Sequence, residues 1–123
     1  MTESKPATEA GQSEAAERAL DYLRELTPEL RGAVILDGEG GALAATGAAE
    51  RWAEAGAALF GAADDAGGRP ADHVHVATGD GEVFAVRDGD LALVAVTERF
   101  VLASLTVFDM RAVLRDLRAE IIS

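Results

Sequence analysis

Cysteine is absent from this 123-residue chain. That removes disulfides, a thiol nucleophile, iron-sulfur ligation and thiolate-rich zinc sites, and it fits the reducing cytoplasm. Histidine is nearly absent too, with His73 and His75 alone, so a histidine-based triad or metal site has little to draw on. No stretch approaches the 18 or so continuous apolar residues that a membrane span needs, and direct membrane insertion is not expected. The opening MTESKPATEAGQSEAAERAL carries no basic region followed by an apolar run, so no secretory signal is expected there either. Basic residues are scarce. Eleven Lys and Arg face 22 Asp and Glu for a formal charge of -11, and a chain that repels phosphate overall is a poor self-sufficient nucleic-acid binder.

What the chain does have is enough apolar sequence, 49% of it, for one core in one domain. The acid excess concentrates in the middle: residues 32–99 hold twelve acids against four bases, while 100–123 hold three of each. Residues 1–12, rich in Thr, Glu, Ser, Ala and Gly, read as a disordered leader, and 13–123 as a single domain. Ser13 is placed to cap a helix over 14–27, whose Ala16, Ala19, Leu20, Leu23 and Leu26 recur at three and four and which Pro28 terminates. The run GAVIL at 32–36, the break DGEGG and ALAAT at 42–46 read as a hairpin whose first strand is covered on both faces. An Ala-rich helix is expected over 48–66, with Trp52, Ala55, Leu59, Phe60 and Ala63 on one face and Gly56 and Gly61 permitting close approach. Three strands follow: 73–78, 82–87 and 91–96, separated by the Asp-Gly turns GDG and DGD. The third is apolar on both faces and is therefore expected at the sheet centre. A terminal helix over 101–121 is expected to set Leu102, Leu105 and Phe108, then Met110, Val113, Leu114, Leu117 and Ile121, on an apolar side. The order αββαβββα with two doubly covered strands predicts an α/β three-layer sandwich, its five-stranded sheet mostly antiparallel and its helices on both faces.

Chemical motifs are few. His73 and His75 share one strand face, and Asp72 or Asp80 would complete a ligand set. However, Val74 and Val76 are expected to face inward, leaving the histidines on an exposed face or at a subunit contact, where protonation near about pH 6–7 would matter. The acids of DGEGG, GDGE and DGD match no calcium loop and read as turn formers. No serine sits in a nucleophile elbow, and the glycines at 38, 40 and 41 precede a strand where a nucleotide loop would open a helix. No metal, cofactor or catalytic residue is expected, and the chain is not read as an enzyme. What remains is recognition by surface. An open sheet has two edges to cover or pair, and HVHVAT, with Pro70 before it and Gly79 after it, is suited to pairing with its own copy across a two-fold axis.

Leu20, Leu23, Leu26, Pro28, Gly32-Ala33-Val34-Ile35, Asp37, Gly40, Gly41 and Leu43, followed downstream by Leu105, Phe108, Met110 and Arg111 in the closing helix, resemble the roadblock domain family. Its members include dynein light chains and bacterial gliding-motility regulators, and profilin-like and longin-like domains share a similar topology. The resemblance spans about 14–121. It implies a homodimer built from the third strands and second helices, with Trp52, Gly56, Leu59, His73, Val74, His75 and Val76 at the interface. It also implies a small Ras-like GTPase as partner, modulated without catalysis by this chain, with Arg51 and Glu54 as candidate partner contacts. Arg51 and Arg69 are not assigned as catalytic fingers. A scaffold subunit of a larger complex and a ligand-sensing domain are the alternative readings.

Overall fold

The computed structural model describes residues 9–39, 41–46, 73–77 and 79–122. The expected second helix at 48–66 lies outside the described residues, and with it Arg51, Trp52, Glu54, Gly56, Leu59 and Arg69. Seven elements are described: α1 (Glu9–Leu26), β1 (Leu30–Leu36), β2 (Ala42–Thr46), β3 (His73–Ala77), β4 (Glu82–Asp88), β5 (Leu91–Thr97) and α2 (Ala103–Ile122). Every strand pair is antiparallel, in the order β2-β1-β5-β4-β3. As its two apolar faces require, β5 is buried along its whole length and lies at the sheet centre. Strands β2 and β3 are the edges.

The helix α1 begins at Glu9, so residues 9–12 of the expected leader are helical and Ser13 lies inside the helix, not at its cap. Glu, Ala and Gln, the residue types at 9, 10 and 12, are good helix formers. The helix stops where Pro28 demands, with the Thr27 N–H donating to the Leu23 carbonyl at 2.8 Å.

Alternation along the strands divides the buried side chains between two faces. Ala33, Ile35, Phe84, Val86, Leu93 and Ala95 meet Leu20 and Leu23 of α1 and Met110, Leu114 and Leu117 of α2. On the opposite face Val34, Leu36, Ala85, Ala92 and Val94 form a second buried cluster, flanked by Val74 and Val83. Gly89, in the DGD turn, has φ of 60°, the backbone freedom for which a hairpin turn selects glycine.

The terminal helix departs from expectation in one respect. Thr106, Met110, Val113, Leu114, Leu117 and Ile121 are buried, but Leu102, Leu105 and Phe108 are 66%, 52% and 68% exposed. Arg18 of α1 pairs with Glu120, and Tyr22 lines a groove with Val113, so the two helices run antiparallel. Because α1 ends at Leu26, the first turns of α2 extend past it, and among the described residues no helix lies beside their outer side. Leu26, expected on the core stripe, is itself exposed.

Candidate interaction surface

As an edge strand, β3 is mostly exposed along its five residues. Directly paired residues in an antiparallel sheet share a face. His73 opposite Val86 and His75 opposite Phe84 therefore lie on the side of the two helices, and Val74 turns to the second cluster. The expected inward placement of the valines is thus only half met: Val74 is partly buried, while Val76 is 38% exposed. The histidines border the principal core instead of pointing away from it. The reason is that α2 rests over β4 and β5, leaving the margin of the sheet to side chains with both a flat face and polar atoms.

Each histidine has a defined partner. His75 stacks on the buried Phe84 with ring centroids 4.3 Å apart and planes 2° from parallel, and its Nε2 meets Glu82 Oε1 at 2.6 Å. The second carboxylate oxygen of Glu82 accepts the Phe100 N–H at 2.7 Å. Phe100 has φ of 67°, a left-handed backbone that costs a residue with a side chain about 1–2 kcal/mol. The carboxylate holds it there. Glu82 therefore ties three places together: the edge strand, the start of β4 and the connection from β5 to α2. His73 Nδ1 accepts from Arg111 of α2 at 2.8 Å, a bond that requires that nitrogen to be unprotonated.

The hydrogen bond from His75 holds the Glu82 carboxyl below the ordinary value of 4.5; burial opposes this, and the Phe100 N–H adds to it. Since the folded state lowers this group's pKa, its stabilisation is present at neutral pH and is lost as pH falls from about 4.5 through the lower folded value. Glu82→Gln is accordingly expected to melt below the wild type at pH 7. The gap should close on acidification below pH 4.5, as read by thermal melts across a pH series.

A concavity of about 580 Å³ is lined by Gln12, Ser13, Asp37, Gly38, Glu39 and Asp90, among others. Asp37 serves the turn: its Oδ1 accepts the N–H groups of Glu39 and Gly41, each at 2.9 Å, an Asx-type closure of the β1–β2 hairpin. Among the described residues no three His, Asp or Glu side chains converge as a metal would need, and no helix is long and apolar enough to cross a membrane. Sequence reading found the β3 edge and its histidines. It missed Glu82, whose role depends on the diagonal reach from β4 to His75, and Phe100, whose positive φ has no signal in a residue type that rarely adopts it.

No protein-family model matches the chain, and no curated protein matches it by sequence. Its fold is shared with solved structures. A roadblock/LC7 domain from Streptomyces avermitilis superposes with a TM-score of 0.72 at 19% identity, covering 80% of this chain and 91% of that one. The Thermus thermophilus gliding protein MglB gives 0.70 at 16% identity over 98% of each chain. Myxococcus xanthus MglB gives 0.68 at 13% identity over 100% of this chain and 96% of the other. The antiparallel order β2-β1-β5-β4-β3, bracketed in sequence by α1 and α2, is thus that of the roadblock/LC7 fold.

Proposed function

We propose that this chain is a non-catalytic, homodimeric regulatory or adaptor protein of the cytoplasm that binds a small Ras-like GTPase and modulates its activity or location. The observation that carries the reading is β3, an exposed edge strand that no other described element covers, on a roadblock fold that also matches gliding-protein structures. An open edge in a stable domain is a template for pairing, and its own copy supplies an antiparallel strand of identical length and pattern. The resemblance to gliding-motility regulators supplies the GTPase, and Arg51 and Glu54 remain the proposed partner contacts. The acidic surface, at -11 overall, favours a partner that presents basic side chains.

Sedimentation at micromolar concentration is expected to give a species of at least twice the chain mass. Val76→Lys, which puts a charge on the pairing edge, is expected to weaken that association tenfold or more. A wild type that stays monomeric would overturn the dimer. Immobilised protein is expected to retain a small GTPase from lysate of its host, and adding the chain to that purified GTPase should change its hydrolysis or exchange rate. Recovery of non-GTPase subunits alone would assign the scaffold role instead.

A further inference from the structure

The outer side of α2, opposite its buried stripe, carries a second pattern. Leu105, Phe108, Ala112, Arg115, Ala119 and Ile122 follow one another at intervals of three, four, three, four and three, the a/d spacing of a heptad seam. Leu105, Phe108 and Ile122 are 52%, 68% and 61% exposed, although the helix needs none of them for its own core. A surface helix ordinarily carries one apolar stripe. This one carries two.

We infer that the outer face of α2 pairs with α2 of a second copy, in parallel, as a short two-helix seam separate from the β3 edge. The charges beside the seam select both the occupant and its direction. Taking Leu105 as position a, the flanking e positions are Asp109 and Asp116 and the g positions Arg111 and Arg118. In a parallel pair, g of one helix faces e of the next heptad of its partner, which sets Arg111 against Asp116 of the second copy, and the reverse by symmetry. An antiparallel pair would set arginine against arginine and aspartate against aspartate. Among the described residues Arg111 bonds an imidazole nitrogen and pairs with no carboxylate, and Asp116 pairs with its exposed neighbour Arg115. This local balance of two acids and two bases in the flanks matters in a chain of charge -11: the flanks of two copies meet with opposite charges opposed, and the one like-charge layer, Arg115 against its own twin at d, leaves its head groups to water.

The exposed fractions of Leu105, Phe108 and Ile122 leave roughly 300 Å² of apolar surface per chain when full side chains are taken at about 150–200 Å². Two copies would cover about 600 Å², the size of a weak, concentration-dependent contact. Ala112 and Ala119 keep the helices close. Arg115, at a d position, has a long apolar stem to lay along the seam while its head reaches water.

The natural absence of cysteine makes the test clean. Ala119→Cys introduces the only thiol, and in a parallel seam each Cys faces its own twin, so mild oxidation is expected to give disulfide-linked pairs in high yield. In an antiparallel seam residue 119 would face the region of Phe108, and no such product would form. Sedimentation velocity over about 1–200 µM is expected to show the largest species of the wild type halved in mass by Phe108→Glu, with the circular dichroism unchanged. If β3 also pairs, that change is from four chains to two. If β3 does not pair, it is from two chains to one, so failure of the β3 reading leaves this result legible. An unchanged mass distribution for Phe108→Glu would overturn the seam and leave the ridge to another protein. Failure of Ala119→Cys to cross-link would overturn the parallel arrangement.

Discussion

Val94→Asp is expected to abolish folding. Val94 is fully buried on the sheet face away from both described helices, paired with Val34 on β1 and Ala85 on β4 within an all-apolar cluster. A carboxylate placed there would find no partner among the described residues, and leaving a charge buried and unpaired costs about 3–5 kcal/mol or more. Small domains hold only about 5–15 kcal/mol in total. Far-UV circular dichroism of the purified variant, or its absence from the soluble fraction, checks the outcome. The companion Leu93→Asp, on the helix side of the same strand, should be as damaging. If Val94→Asp folded normally while Leu93→Asp did not, the sheet would have one core face and not two.

Phe84→Ala is expected to cost about 3–5 kcal/mol, the usual range for truncating a buried aromatic, and to lower the melting temperature by about 10–20 °C in a domain of this size. Phe84 is the largest fully buried side chain among the described residues, and it is also the platform on which His75 stacks. Its loss should therefore reach the edge strand. Amide exchange in β3 is expected to speed up more than in β1, and the dimer proposed to form through β3 should weaken along with it. Phe84→Leu keeps most of the volume and should restore much of the stability while leaving His75 without its aromatic partner. If dimerisation were unaffected in both variants while the melting temperature fell, the stacking would have no part in shaping the edge.

How far the residues announced this arrangement differs by element. LALVAV has no polar residue on either face, and only a central, doubly covered strand satisfies that, so the place of β5 was legible before any coordinates. The Asp-Gly turns marked the β4–β5 hairpin for an equally local reason: positive φ at Gly89. The faces of β3 were less legible, because alternation separates His73 and His75 from Val74 and Val76 but does not say which set meets the helices. That depends on how far α2 reaches across the sheet. Similarly, Leu105 and Phe108 are as apolar as Leu114 and Leu117, and what separates them is the point where α1 stops. The bond from Glu82 to His75 and Phe100 joins residues whose proximity arises only once both β3 and the β5–α2 connection are in place. The second helix and its candidate contacts at Arg51, Trp52, Glu54, Gly56 and Leu59 rest on sequence pattern and resemblance.

The strand order also governs how quickly this chain can find its native state. The hairpins β1–β2 and β4–β5 close over a few residues, but the centre of the sheet is β1 against β5, where Leu36 lies opposite Ala92 and Leu30 opposite Thr97. Nearly the whole middle of the polypeptide must be looped out before these two strands meet, and the entropy of that closure is lost before any of the pairing is gained. The β1–β5 pairing is therefore the step that carries most of the loop-closure entropy, and a chain whose centre is closed by its longest-range contact is expected to fold slowly for its size.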